Sequence, residues 1–231
     1  MSESTCRRLV TLCVALIWYG LTSCLVSGES QWWLEGNATL PLAKEYKFNA
    51  GIQSRLDSSG SLVREQTTVG VAYTGLAAWF DVGMSYRTIF RRLVDEEWIQ
   101  ENRAFLDGIA RFKLFKLAFS NRIRLEYNNP DSLSEFGTFR NKLSLNPPYY
   151  LEPTREGGVG WRYFNLRPFA SYEFFYSTNK DIISRYRIEG GVSYLFSERV
   201  FCDIYYLYQV NDMETAGPKQ KAFGVNLKLL F

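Results

Sequence analysis

The sequence predicts an all-β protein, an antiparallel up-and-down barrel that crosses a membrane. Three observations carry that reading. Apolar and polar residues alternate at every second position through most of the chain, the alternating runs are about ten to fifteen residues long, and the breaks between them are short and long in turn. Soluble sheets use strands of about five or six residues, whereas a tilted membrane crossing needs about ten.

The first segment is of another kind. Arg7 and Arg8 precede an apolar run, 9–26, that ends in small and polar residues, the layout of a secretory signal peptide. The expected division is a signal peptide over 1–30 and a barrel over 31–231. Leu21-Thr22-Ser23-Cys24 resembles a lipobox, but Leu25 and Val26 continue the apolar run past the cysteine, and Val26-Ser27-Gly28 suits an ordinary signal peptidase. Cys6, Cys13 and Cys24 lie in this segment, which leaves Cys202 alone in the mature chain and unable to form an internal bridge.

Eleven candidate strands follow, at about 32–40, 45–55, 62–74, 79–91, 98–112, 117–127, 137–146, 162–176, 184–196, 200–210 and 222–231. The faces separate cleanly. In the fourth, Phe80, Val82, Met84, Tyr86 and Phe90 oppose Asp81, Ser85 and Arg87. In the sixth, Leu117, Phe119, Ile123, Leu125 and Tyr127 oppose Ser120, Arg122, Arg124 and Glu126. The eighth sets Leu166, Ala170, Tyr172, Phe174 and Tyr176 against Arg167, Ser171 and Glu173. The ninth sets Tyr186, Ile188, Val192, Tyr194 and Phe196 against Arg185, Arg187, Glu189 and Ser193. Trp79, Trp98, Tyr163, Tyr176 and Tyr208 fall near strand ends, where a membrane interface places amphipathic rings.

Tight breaks at 42–45, 74–76, 115–116 and 197–199 exchange with longer polar ones at 57–61, 93–97, 128–135, 177–183 and 211–218. Bacterial barrels have even strand numbers, so ten to twelve strands are expected, with twelve favoured and the extra strand sought in the linker PPYYLEPTREGGVG, 147–160. The last strand alternates to the final residue: Phe223, Val225, Leu227, Leu229 and Phe231 face lipid and Asn226 and Lys228 face inward. A terminal aromatic on such a strand reads as the signal by which outer-membrane barrel assembly machinery takes up unfolded barrels. The partners expected are therefore that machinery and the lipid bilayer of the bacterial outer membrane.

Several polar-face motifs in order, WIQENRAFLDG, SNRIRLEYNN, FRNKLSL, PFASYEFFY, SRYRIEGGVSY and the closing NLKLLF, resemble the outer-membrane barrel family known as domain of unknown function 2490. The resemblance covers roughly 79–231 and implies fold and location, with no activity attached.

The charged face lines the lumen of such a barrel. It carries Arg87, Arg103, Arg111, Arg122, Arg124, Arg140, Lys142, Arg167, Arg185 and Arg187 against Asp81, Glu101, Asp107, Glu126, Glu173, Glu189 and Asp203. Two outcomes are open. A mutual Arg-carboxylate lattice would make the lumen structural or a narrow channel, because enclosed charges persist only when paired. Alternatively, the surplus of cations would draw in anions and pass small acidic solutes such as sugar acids. A net charge of +3 gives no basis for nucleic-acid binding. The chain has no histidine, which removes Ser-His and Asp-His hydrolysis and imidazole metal ligation, so neither metal nor cofactor is expected. A carboxylate-based glycosidase would draw on Glu126 and Glu173, or Glu101 and Asp107. Arginine neighbours are the wrong setting for a general acid, which has to hold its proton. The expectation is a protein without enzymatic activity.

Overall fold

A computed structural model describes residues 30–93, 97–114, 117–129, 138–146, 166–178, 181–197, 199–211 and 219–231. Residues 1–29 of the expected signal peptide, Tyr163, the linker 147–160 and parts of the long loops lie outside the described residues, while position 30 begins the first strand. Eleven strands form one sheet: β1 Ser30–Ala43, β2 Tyr46–Leu56, β3 Leu62–Ala77, β4 Phe80–Arg92, β5 Trp98–Leu114, β6 Leu117–Asn129, β7 Thr138–Asn146, β8 Leu166–Ser177, β9 Ile182–Ser197, β10 Val200–Asn211 and β11 Lys219–Leu230. Each pairs antiparallel with its neighbour in sequence, and β1 and β11 close the barrel.

All eleven expected strands are present, and the segment around Trp32 is a wall strand. The wall holds one strand fewer than the twelve favoured from the sequence. β7 pairs directly with β8, from Thr138 opposite Ser177 to Leu145 opposite Ala170, so the 147–165 connection puts no strand between them. The tight break expected at 74–76 lies instead at 78–79; 74–76 belongs to β3, in a stretch where the register with β4 slips between Tyr73 and Ala77.

An odd strand number has a geometric consequence. In a meander, odd-numbered strands all run the same way, so β1 and β11 meet in parallel, from Ser30 opposite Lys221 to Thr39 opposite Leu230. Closure leaves no unpaired edge in the wall, which hydrocarbon would not tolerate. The seam continues to the end of the chain: the Phe231 N–H donates to the Thr39 carbonyl at 3.0 Å, and Asn37 Nδ2 donates to Asn226 Oδ1 at 2.8 Å.

The distribution of burial is inverted relative to a soluble barrel. Large apolar side chains cover the outside, with Met84 66% and Leu106 55% exposed, while Arg124, Glu126, Arg140, Glu173 and Asp203 are buried inside. So wide an apolar surface is stable only against lipid, so the fold is a transmembrane β-barrel. Aromatic pairs ring the short-turn rim, Tyr46 with Tyr73, Phe112 stacked on Phe119 at 5.4 Å and Tyr194 against Phe196. Trp79 stands at this rim and Trp98 at the opposite one, as an interfacial girdle requires.

Candidate functional site

Because side chains alternate across a strand, one residue's facing fixes the facing of its whole strand. Arg103, Asp107 and Phe105 of β5 point inward together, as do Arg122, Arg124 and Glu126 of β6 and Glu173 and Phe175 of β8, around a lumen cavity of about 800 Å³.

On the β5–β9 wall the charges form one connected lattice. Asp107 receives Arg124 through Nε and an Nη at 2.7 and 2.8 Å, a two-pronged match of guanidinium to carboxylate. Arg124 also lies 3.6 Å from Glu126, which Arg140 approaches at 2.5 Å and Arg103 at 3.6 Å. Arg140 reaches on to Glu173 at 2.8 Å, and Glu173 also takes Arg122 at 3.0 Å and Arg187 at 3.3 Å. From Arg103 the lattice extends to Glu101 at 2.7 Å and then to Arg91 at 3.0 Å. Glu173 is 1% exposed and Glu126 3%, so each sits as an enclosed anion among guanidinium groups. Smaller pairs stand apart: Lys142 with Glu189 at 3.0 Å, Arg111 with Asp81 at 2.5 Å, and Lys228 with Asp203.

Aromatic rings inside the barrel support this lattice from below. Arg124 stacks 3.7 Å from the centre of Phe105, with Arg87 5.0 Å from the same ring. Phe175 carries Arg140 at 4.3 Å, Arg185 at 5.0 Å and Arg187 at 5.3 Å. Trp33, of β1, carries Arg55 at 3.7 Å and Arg187 at 5.1 Å. A ring face attracts a guanidinium without cancelling its charge.

Arg55, Arg64, Arg87 and Arg185 are arranged differently. Among the described residues none of them makes an ion pair. Arg55 donates to Gln53 at 2.7 Å, Arg64 to Gln66 at 3.2 Å and Arg87 to Thr68 at 2.9 Å, all neutral acceptors. Arg185 rests on Phe175, and the Nε atoms of Arg64 and Arg185 are buried with no hydrogen-bond partner. Glu35 lies on the neighbouring strand, but its Oε1 accepts from Gln53 Nε2 at 2.6 Å and from the Tyr205 hydroxyl. Tyr205 reaches that carboxylate from β10 by lying across β11 over Gly224, where a Cβ would come within 2.0 Å of the ring.

The expected residues of the charged face line the cavity except Glu101, Arg111 and Asp81, which are held in ion pairs, Glu101 with Arg103 and Arg111 with Asp81. On β11, Asn226 and Lys228 line the lumen, Leu227 is exposed on the outside, and Phe223 packs against Trp32 and Tyr206 there. The outward parity of Val225 and Leu229 follows, and Phe231 is exposed just beyond the strand. Sequence reasoning missed Arg55, Arg64, Glu35 and the inward rings Trp33, Phe105, Phe175 and Tyr205. The rings were findable, since each stands two positions from an inward charge: Phe105 from Arg103, Phe175 from Glu173, Tyr205 from Asp203 and Trp33 from Glu35.

A closed, outwardly apolar wall around a charged lumen defines a transmembrane β-barrel of the outer-membrane, porin-like type. The family model described as "Protein of unknown function (DUF2490)" matches residues 30–220, and the chain belongs to that family. The sequence matches no curated protein. Among solved structures, LpxR from Salmonella typhimurium is similar over 84% of this chain and 87% of its own, at 7% identity and a TM-score of 0.48. An anion-selective porin from Comamonas acidovorans is similar over 80% of this chain, at 13% identity and a TM-score of 0.39. The chain spans 53% of that porin's length, and at such identities the likeness concerns the fold alone.

Proposed function

We propose that the protein is a bacterial outer-membrane barrel whose lumen is a narrow, anion-selective conduit for small acidic solutes such as sugar acids. The observation that carries this reading is the lumen cavity of about 800 Å³, into which Arg55, Arg64, Arg87 and Arg185 project with no carboxylate partner among the described residues. Cationic walls of low dielectric raise the local concentration of anions and exclude cations. The lattice on β5–β9 has a separate role in this reading: it braces the wall and holds the lumen narrow. No hydrolysis is included, because Glu126 and Glu173 are each shared among several arginines and neither is placed to deliver a proton.

Reversal potentials of the purified, refolded barrel in a planar bilayer under a potassium chloride gradient test the proposal. Anion-sign potentials are expected; absence of conductance or cation-sign potentials would overturn it. Delivery to the membrane is assigned to the terminal strand and the barrel assembly machinery. Deleting Phe231, or Phe231→Asp, should remove the heat-modifiable barrel from the outer membrane, and undiminished barrel would contradict that assignment.

A further inference from the structure

Of Arg55, Arg64, Arg87 and Arg185, which make no ion pair among the described residues, Arg87 sits over Phe105 beside Arg124, while the other three gather around Arg187. Arg55 and Arg187 lie 3.7 and 5.1 Å from the centre of one ring, Trp33, although they come from β2 and β9. Arg187 and Arg185 in turn share the Phe175 ring of β8. Trp33 and Phe175 thus form two shelves that gather guanidinium groups from opposite parts of the wall. Arg64, opposite Arg55 in the β2–β3 register, joins the same group. Arg55, Arg64, Arg185 and Arg187 repel one another there, and the carboxylates that offset them, Glu35, Glu101, Glu126, Glu173 and Glu189, are all shared with other donors, Glu173 being paired with Arg187 itself.

Guanidinium groups gathered on shared rings and hydrogen-bonded to neutral acceptors form a cationic surface suited to an anion. The donors also indicate its shape. A planar carboxylate is met by one guanidinium fork from one side. Here the forks converge from β2, β3 and β9, which suits an anion whose oxygens point in several directions and whose charge exceeds one.

We propose that Arg55, Arg64 and Arg185, with Arg187 on the shared Trp33 shelf, bind a compact doubly charged tetrahedral oxyanion, the phosphoryl or phosphate class. This deepens the reading of the lumen as an anion conduit: the site would be the point at which that conduit selects among anions. The carboxylate network of β5–β9 is not part of it, apart from Arg187, which links the two through Glu173.

Two measurements separate the site from the conduit. Isothermal titration of the refolded full-length barrel in detergent with inorganic phosphate reports binding whether or not the barrel conducts. Saturable binding is expected, weakened about ten-fold by Arg64→Gln or Arg185→Gln, the scale of one lost charge-assisted hydrogen bond. Arg64→Lys, which keeps the charge but not the fork, should fall between, and Lys47→Gln, exposed at the short-turn end of β2, should bind as the parent does. Retained heat-modifiability shows that each variant is folded. The second measurement is block of chloride current by phosphate compared with acetate at equal ionic strength. Phosphate binding with no conductance would leave the site standing and end the conduit reading. Phosphate binding no stronger than acetate, or unchanged in both glutamine variants, would overturn the site. Glycerol phosphate, titrated in parallel, identifies the natural form: tighter binding than inorganic phosphate assigns the phosphoryl end of a small solute, and weaker binding assigns the free ion.

Discussion

The two halves of the lumen use the same residue for opposite ends. On β5–β9 the arginines are locked to carboxylates, with Glu173 alone shared by Arg122, Arg140 and Arg187. Arg55, Arg64 and Arg87 of β2–β4 and Arg185 at the start of β9 meet glutamine, threonine or an aromatic face instead. A guanidinium locked in an enclosed lattice stabilises shape, and the carboxylates it shares offset much of its charge. One held by neutral acceptors keeps its charge for whatever enters. Both regions present arginines to the lumen; what separates them is the placement of the acids of the charged face, with Glu101, Asp107, Glu126, Glu173 and Glu189 on β5–β9 and Asp81 on β2–β4.

The largest expected effect breaks the locked half. Glu173→Gln leaves three guanidinium groups without their shared anion, and loss of one partner from such an enclosed pair costs about 3–5 kcal/mol. Urea unfolding in detergent should show it as a much lower midpoint, while Arg185→Gln should stay close to the parent or exceed it. Equal destabilisation by both would erase the distinction between the halves.

A smaller effect is expected at the strand-closing clasp. Gly224→Ala puts a Cβ into the Tyr205 ring and should cost about 1–3 kcal/mol, as overpacking does. In a Tyr205→Ala background most of that cost should vanish, which a double-mutant cycle measures directly. Tyr205→Phe is a finer probe. It removes a hydroxyl donor from Glu35, frees that carboxylate for Arg55, and should cost only about 1 kcal/mol while lowering anion selectivity. Selectivity unchanged in this variant would mean that Arg55 does not contribute to the field.

The smallest effect lies outside the membrane, at the β2–β3 loop. There the Ser59 hydroxyl, then the Ser61 and Ser59 N–H groups, and Arg92 hold the Asp57 carboxyl below its ordinary range. A lowered carboxylate value means that its contribution is complete above about pH 4 and fades as pH falls through the lowered value. Protection of the Ser59 and Ser61 amides, taken relative to intrinsic exchange at each pH, should fall on that acid side and be constant between neutral and mildly acidic pH.

How far the sequence reveals this division follows from what alternation encodes. Period two sorts residues into faces, so Arg124, Glu126, Arg140 and Glu173 are recognisable as lumen residues from their strands alone. It does not say which strands sit opposite each other across the lumen, and the meeting of Arg55 with Arg187 over Trp33 depends on that. Inward aromatics are hidden by the habit of assigning rings to lipid, although Phe105 and Phe175 keep strict parity with their charged neighbours. The strand number escapes for a related reason: a parallel β1–β11 seam is a property of closure, and nothing in either strand's own pattern marks it.

Whether the arginines that meet only neutral acceptors set the charge preference of the lumen is decided by one reversal-potential measurement. Arg64→Gln/Arg185→Gln is compared with the parent barrel in the same potassium chloride gradient. Anion preference is expected in the parent and a potential close to zero in the double variant, with the barrel still heat-modifiable. An unchanged anion-sign potential in the double variant would contradict it.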